Sequence, residues 1–437
     1  MASHGVARAS GPRTEEQRKL DLDKIDRYRS LEDQVRQKVS FHRTICALSM
    51  HPASPGLSRR AHQLDGPGRA NESTPQAANQ SFGDETFQLT SKLLRINPEY
   101  YTVWNVRRRC LISGLLSGPL PGSSPSKALP SSSATDTPTT SSDASLASSS
   151  KKTQQLPDSQ TTGNNGTTPE SWAGDLDTIK SELAFTIPLL MEFPKCYWIW
   201  EYRLWILDQA IERLPVSTSR RIWEEELGLV SKMLHRDTRN FHAWGYRRHV
   251  VTKLESSTLN GSSMTEPEFA YTTSKINADL SNFSAWHSRS QLIPRLLNER
   301  KSDQAARKDF LEKELNLVRE GLNVGPEDQS LWFYHQYLIT NILETPGDQT
   351  IAPELTDEER KAYIESEIIE IKDLLEDYED IKWIYEALLE YTLAIHKLTK
   401  TAPSSQQDLS SWLGKLRTLD PMRSGRWSDL EKQWSQA

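Results

Sequence analysis

Few side chains in this sequence have the types and spacing that metal or redox chemistry needs. The three cysteines, Cys46, Cys110 and Cys196, lie far apart and form neither a CxxC pair nor a cysteine–histidine group at zinc-ligand spacing. A structural zinc site and a thioredoxin-like pair are therefore not expected, and unpaired cysteines favour a reducing compartment. We expect no metal or other cofactor in this chain.

Aromatic residues and arginine, in contrast, recur in a fixed frame that must position them on helices. The frame reads Pro-x-x-Tyr/Phe-x-x-Trp-x-x-Arg and is complete at residues 98–107 and 194–203. Two further copies lose only the proline, and three degenerate copies follow. The tryptophans of the seven copies are Trp104, Trp200, Trp244, Trp286, Trp332, Trp383 and Trp427.

The spacing of these tryptophans indicates a repeat protein. Successive members are 96, 44, 42, 46, 51 and 44 residues apart, so only the first step is irregular. That step contains a Ser/Thr/Pro-rich tract, and residues 117–170 are therefore predicted to be a disordered insertion within one continuous array. A tetratricopeptide array is disfavoured because its period is about 34 residues.

The frame has the features of a helix start, with asparagine or aspartate before a proline at the first helical position. Each copy follows another amphipathic segment, which predicts one helical hairpin per copy. The predicted fold is all-α, a right-handed alpha-alpha solenoid of about seven hairpins. We expect the aromatic residues of each copy to pack in the core. The arginine should reach the edge, where it is solvated or caps a carbonyl.

The rest of the 437 residues divides by composition. Residues 1–40 are predicted to be an N-terminal segment with one amphipathic helix, and residues 41–83 a loop or disordered insertion. Residues 84–116 hold the first repeat and residues 171–437 the others.

A net charge of −6 argues against nucleic acid as a partner. Because no signal-peptide core or membrane-spanning apolar run is found, we expect a soluble cytoplasmic protein. The apolar positions of the N-terminal helix are Leu20, Ile25, Tyr28, Leu31 and Val35.

The repeated frame resembles the alpha-subunit repeat of protein prenyltransferases, and the resemblance covers residues 97–430. It implies a crescent of helical hairpins that wraps a beta subunit. It also implies that the catalytic zinc and most of the isoprenoid pocket belong to the beta subunit. Prenyl transfer is then expected from the heterodimer and not from this chain alone.

The same resemblance implies candidate site residues. The lysine that follows the proline of the second repeat in that family matches Lys195, whose ammonium would bind the prenyl diphosphate and stabilise it as the leaving group. Lys195 is therefore the candidate catalytic residue. Tyr197, Asn240 and His242 match family positions that bind substrate at the subunit interface. Phe241 lacks the hydroxyl of the family's tyrosine, so that role is not carried over.

Within the family, the Rab geranylgeranyltransferase type is favoured. Trp198 stands where enzymes that read a C-terminal CaaX box have a glutamine for the substrate carboxylate. Residues 13–31 and the ending LRTLDPMRSGRWSDLE are also similar to the Rab type, in a compact form like that of fungal members. The His4-Gly5 pair is similar to an N-terminal histidine–glycine of that type.

The Rab-type resemblance implies four partners: a beta subunit, a Rab escort protein, Rab GTPases and geranylgeranyl diphosphate. Two other functions remain open. One is the alpha subunit of a CaaX farnesyltransferase or type I geranylgeranyltransferase, and the other is a non-catalytic alpha-solenoid scaffold. Copurification with a beta subunit, and the choice between a Rab protein and a CaaX peptide as substrate, would separate the three.

Overall fold

The computed structural model describes residues 14–49, 82–117, 169–343, 350–400 and 406–435. Within these ranges the regular structure is helical and no strand occurs, which confirms the all-α prediction. The chain divides into two compact units, Met1–Trp223 and Glu224–Ala437, which are described separately. The two predicted insertions lie mostly outside the described residues, so their disorder stays a prediction.

The first unit contains the first two predicted hairpins. Its helices are α1 (Glu15–Ser49), α2 (Asp84–Ile96), α3 (Tyr101–Cys110), α4 (Pro169–Glu192) and α5 (Tyr197–Arg213). A π-helical turn, Leu111–Leu115, extends α3. Helix α2 pairs with α3, and α4 pairs with α5. Helix α6 (Val216–Arg236) crosses the boundary of the two units.

Helix α1 covers the segment in which the N-terminal helix was predicted, but only part of its apolar stripe packs. Leu31 and Val35 are buried where α1 meets α2, whereas Leu20 and Ile25 are 59% and 44% exposed. The helix continues to Ser49, beyond the predicted end at residue 40. The sequence offers a reason, since no glycine or proline occurs between residues 15 and 49 to stop it.

The second unit is also built of helical hairpins. Helix α7 (Phe241–Glu255) follows α6, and the Tyr246 hydroxyl of α7 donates to Glu226 of α6 at 2.6 Å. Four further pairs follow, so the described residues hold the seven predicted hairpins. These pairs are α8 (Thr265–Ala278) with α9 (Phe283–Glu299), α10 (Gln304–Val324) with α11 (Gln329–Leu343), α12 (Asp357–Asp377) with α13 (Lys382–Thr399), and α14 (Gln406–Leu419) with α15 (Ser424–Ser435).

Arg107 of α3 links the first hairpin to the second. Its side chain is 2% exposed and donates from Nε and Nη2 to both oxygens of Glu182 on α4, at 2.6 and 2.7 Å. Its Nη1 donates to Thr90 of α2 at 2.9 Å. Tyr202 of α5 donates to the same carboxylate at 2.5 Å. Burial, then the Glu182 charge, raises the pKa of Tyr202 well above its ordinary value, so its hydroxyl stays the donor.

The same buried arginine–glutamate contact between hairpins, which we call the joint, recurs in the second unit. Arg247 of α7 binds both oxygens of Glu268 on α8, at 2.8 and 2.6 Å. Arg289 of α9 binds both oxygens of Glu314 on α10, at 2.7 and 2.6 Å. Tyr334 of α11 adds a 2.5 Å hydrogen bond to Glu314. Each of these arginines therefore joins its own hairpin to the first helix of the next.

The tryptophans of the frame pack in the core as predicted, Trp104 with 1% and Trp244 with 2% exposed, but the expected orientation of the other frame residues was wrong. The repeat arginines are buried, with Arg247 and Arg289 each 4% exposed, and they are neither solvated nor limited to carbonyl contacts. The tyrosine or phenylalanine of the frame, here called the frame aromatic, is instead exposed, Tyr197 by 50% and Phe241 by 72%. On a helix with 100° per residue, the arginine lies six residues after the aromatic and hence about 120° away from it. Once the arginine turns inward to its glutamate, the aromatic must face outward.

The two ends of the second predicted insertion are anchored near each other. The Ser117 backbone amide donates to Asp175 Oδ1 of α4 at 2.8 Å, and the Ser117 hydroxyl donates to Oδ2 of the same carboxylate. Arg213 Nε donates to the Ser117 carbonyl at 3.1 Å. Ser117, which the sequence placed inside the insertion, thus belongs to the packed unit.

The buried joints should contribute far more to stability than surface ion pairs. Replacing Arg289 with methionine leaves the Glu314 carboxylate buried without its counter-charge, and we expect a loss of about 3 to 5 kcal/mol. The matched control is Lys313→Ala, which removes a pair with Asp309 whose side chains are 70% and 63% exposed. The control should lose less than about 1 kcal/mol. Urea unfolding measures both, and equal losses would contradict a special role for the buried joint.

Removing residues 118–168 should leave the fold intact. Asp175 lies six residues into the helix after Pro169, about 9 Å along its axis, so a linker of about six glycine and serine residues can close the gap. The unfolding midpoint should match that of the full chain. A second deletion that also removes Ser117 loses its contacts with Asp175 and Arg213 and should cost about 1 to 3 kcal/mol. A non-cooperative transition in the shorter deletion would show that the tract is structural.

Candidate functional site

In each of the first five repeats the tryptophan fixes the turn that precedes the second helix. Its indole Nε1 donates to the carbonyl of the residue six positions earlier, which lies in that turn. Because the indole is buried below the turn, the residues on the other side of the helix start face outward. The five bonds are Trp104 to Pro98 (2.8 Å), Trp200 to Pro194 (3.0 Å), Trp244 to Thr238 (2.9 Å), Trp286 to Leu280 (2.8 Å) and Trp332 to Pro326 (2.7 Å).

Lys195 lies in the turn before α5 and is exposed. Its two neighbours in the turn are held in place, since Pro194 accepts the Trp200 indole and Cys196 is only 2% exposed. The turn closes with a hydrogen bond from the Cys196 amide to the Phe193 carbonyl at 3.1 Å. The lysine ammonium is therefore carried outward on a constrained stretch of backbone.

Tyr197, the first residue of α5, stands beside Lys195 and belongs to an aromatic group that we call the aromatic ledge. The ledge consists of Tyr197, Trp198 and Tyr101 of the preceding hairpin, with Trp198 in the middle. Its ring centroid lies 5.2 Å from that of Tyr197 and 5.4 Å from that of Tyr101. The Tyr197 hydroxyl donates to Glu201 at 3.3 Å, and burial, then the Glu201 charge, raises the pKa of Tyr197. Lys195 and Tyr197 are thus both exposed at this helix start.

Asn240 and His242 flank the start of α7 in the second unit. The Asn240 side chain is 2% exposed and caps the helix by accepting from the Ala243 amide at 3.1 Å. Asn282 caps α9 in the same way, at 3.2 Å, which favours a structural role for both residues. His242 is half-buried, and its ring lies 5.8 Å from the exposed Phe241 ring.

Metal chemistry finds no support in the described part of the chain. No group of three or more histidine, cysteine, aspartate or glutamate side chains there could hold an ion. Cys110 and Cys196 are both buried, and burial raises the pKa of each thiol to about 11. These thiols are therefore poor ligands and poor nucleophiles at neutral pH. Among the described helices none is both long and apolar enough to cross a bilayer.

The stacked hairpins, six of which bury their repeat tryptophan, define a prenyltransferase-type repeat array. Five segments match the protein prenyltransferase alpha subunit repeat: residues 84–113, 179–210, 223–254, 265–296 and 311–342. The two C-terminal hairpins lie beyond these matches. The predicted resemblance to this repeat is therefore confirmed.

Matches to related proteins, which extend over 58% to 80% of this chain, identify its family more narrowly. Geranylgeranyl transferase type-2 subunit alpha of Candida albicans is 29% identical, over 80% of this chain and 86% of that protein. Its Saccharomyces cerevisiae counterpart is 32% identical over 58% of this chain and 73% of that protein. The human counterpart is 32% identical over 59% of this chain and 34% of that protein. A solved chain of Candida albicans protein geranylgeranyltransferase-I complexed with GGPP has a TM-score of 0.46 at 16% identity, over 87% of this chain and 95% of that chain. The chain belongs to the family of geranylgeranyl transferase type-2 alpha subunits.

Sequence reasoning missed the glutamates that receive the buried arginines. Each lies 18 residues before the tryptophan of its own repeat, which is a detectable period. A tyrosine two residues after the tryptophan, present in three of these four repeats, is the second signal. A search for acidic residues that keep the tryptophan period would have found the joint. Glu182, Glu268 and Glu314 bind these arginines, and Glu226, which keeps the same period, accepts from Tyr246.

The buried thiols should be unreactive in the native chain. At pH 8, thiols with a pKa of about 11 hold about a hundredfold less thiolate than ordinary cysteines, and burial slows access further. Iodoacetamide should therefore alkylate Cys110 and Cys196 at least a hundredfold more slowly in buffer than in guanidinium chloride. Mass spectrometry of the digested chain gives the rate for each site. Rapid native labelling of either cysteine would contradict its placement in the core.

Proposed function

We propose that this chain is the alpha subunit of a cytoplasmic Rab geranylgeranyltransferase. With a beta subunit, it forms the enzyme that moves a geranylgeranyl group from geranylgeranyl diphosphate to C-terminal cysteines of Rab proteins presented by an escort protein. The observation that carries the proposal is the similarity to type-2 alpha subunits across 86% and 73% of the two fungal relatives. The chain alone is expected to transfer no prenyl group.

The exposed frame aromatics support a partner at the starts of the second helices. Each unit presents two of them, at the same place in the repeat. Large aromatic side chains are enriched where protein interfaces form, because they bury much area and lose little conformational entropy. The beta subunit is the partner that we propose for these positions. The four residues are Tyr101 and Tyr197 in the first unit, and Phe241 and Phe283 in the second.

Lys195 is the residue that we propose for catalysis. In the transfer, the substrate cysteine thiolate forms a carbon–sulfur bond to C1 of the isoprenoid while the carbon–oxygen bond to the diphosphate breaks. The diphosphate leaves with the electron pair and gains negative charge, which a nearby ammonium stabilises most in the transition state. Zinc supplied by the beta subunit would keep the substrate cysteine deprotonated.

The other candidates have smaller proposed roles. Tyr197, half-exposed beside Lys195, is proposed to contact substrate or the beta subunit through its ring and hydroxyl. Asn240 is buried as a helix cap, so we propose that it acts only by holding the turn beside His242. His242 is proposed to face the subunit interface.

Reconstitution of this chain with a beta subunit tests two alternative functions. A CaaX prenyltransferase alpha subunit would support prenylation of a CaaX peptide, and a scaffold would copurify with no zinc-containing partner. Trp198 disfavours the first, because its indole cannot pair with a terminal carboxylate as an amide does. Its contacts with Tyr101 and Tyr197 show that the ring is already engaged.

Lys195→Ala should slow the chemical step without preventing assembly. We expect the single-turnover rate of the reconstituted heterodimer on a Rab–escort complex to fall about tenfold to a thousandfold, equivalent to about 1.4 to 4 kcal/mol. Lys195→Arg should recover part of the loss, since guanidinium is larger and differently hydrated.

Lys180→Ala is the matched control, because Lys180 is an exposed lysine on the first helix of the same repeat. It should react at the wild-type rate. The chain without its beta subunit should show no transfer and no stoichiometric zinc by elemental analysis. An unchanged rate in Lys195→Ala would leave this lysine as a solvated surface charge.

A further inference from the structure

The helix start that carries Lys195 has no side-chain cap. The N-cap residue of α5 is Cys196, and its side chain makes no capping hydrogen bond. In the next two repeats, asparagines at the equivalent position cap α7 and α9. Because the first amides of a helix have no partner within the helix, an uncapped start frays unless other contacts hold it.

Contacts with the preceding hairpin replace the missing cap. The Cys196 thiol donates to the Pro98 carbonyl at 3.5 Å, and the Trp198 ring packs on Tyr101 at 5.4 Å. Both partners belong to the corresponding turn and helix start of the first repeat. The Trp200 indole bond to Pro194 also holds this turn, but the same bond occurs in the first and in the next three repeats and therefore does not distinguish this one.

We propose that Tyr101, acting through Trp198, is a positioning residue that holds the start of α5 and thereby the Lys195 ammonium. The proposal rests on the proposed function of Lys195. Trp198 follows Lys195 by three residues, so movement of its ring displaces the same turn of backbone. Tyr101 is 54% exposed, and its ring is not needed to fill the core. Its loss should disturb the lysine more than the fold.

The kinetic test uses the reconstituted heterodimer and the single-turnover assay. Tyr101→Ala should lower the rate at saturating donor and Rab–escort complex about tenfold, since small misplacements of a catalytic group reduce rates steeply. Tyr101→Phe keeps the ring and should stay within about twofold of wild type. Tyr101→Leu serves if the alanine variant does not assemble.

A double-mutant cycle separates positioning from general damage. If Tyr101 acts only through Lys195, Tyr101→Ala should have less than about a twofold effect in the Lys195→Ala background. The same tenfold loss in both backgrounds would overturn the proposal and indicate an independent contact. A wild-type rate in Tyr101→Ala would overturn it as well.

Restoring the cap offers a rescue. Cys196→Ser is nearly isosteric, and its hydroxyl oxygen accepts a backbone amide better than a thiol does while still donating to Pro98. Added to Tyr101→Ala, it should recover at least half of the lost rate on a logarithmic scale. No recovery, with assembly intact, would count against a disordered helix start as the cause.

Hydrogen exchange of the full chain tests the physical claim without any activity. Tyr101→Ala should speed exchange about tenfold in peptides that cover residues 196–201, while peptides from α4 and α9 keep the wild-type rate. Unchanged exchange at residues 196–201 would sink the proposal. If exchange rises but the wild-type heterodimer transfers no geranylgeranyl group, the proposed function fails and the structural coupling stands.

Discussion

The buried arginine–glutamate joint between successive hairpins is the interaction on which the array depends. A helical hairpin cannot bury its apolar face alone and must stack on a neighbour. Apolar packing permits several registers, but a buried guanidinium left without its carboxylate is strongly unfavourable. The two parallel bonds from Arg107 to Glu182, and from Arg289 to Glu314, therefore select one register. The tyrosine bonds to Glu182 and Glu314 tie the second helix of the next hairpin to the same carboxylate.

The joint also decides which side of each second helix faces outward. With arginine and tryptophan turned to the core, the start of the helix presents its frame aromatic and the residues of the preceding turn. Lys195 is exposed for this reason, and not because its surroundings are mobile. One short frame thus specifies both the stacking and the surface available to a partner.

Much of the fold could be predicted from the sequence because the tryptophan period survives in every copy. The hairpins, their number and the all-α class follow from that period and from the proline and asparagine that start each helix. The orientation of the arginine was missed, because it is set by a glutamate in the following repeat, which only a search for acidic residues with the tryptophan period reveals. For the same reason, the outward position of Tyr197 became evident only in three dimensions. The contact between Ser117 and Asp175 could not be predicted either, because the polar tract separates the two residues in the sequence.

The fifth repeat shows what happens where the joint changes. His335 replaces the arginine there, and it lies 2.8 Å from Glu367 through Nε2 and 2.8 Å from the Tyr391 hydroxyl through Nδ1. Arg319, from the first helix of this repeat, supplies the charge that pairs with Glu367. The matches to the alpha-subunit repeat stop at residue 342, yet two more hairpins follow. The hairpins thus continue to stack where the sequence frame has degenerated. A histidine, with an arginine from another helix, takes the place of the repeat arginine at the buried Glu367 carboxylate.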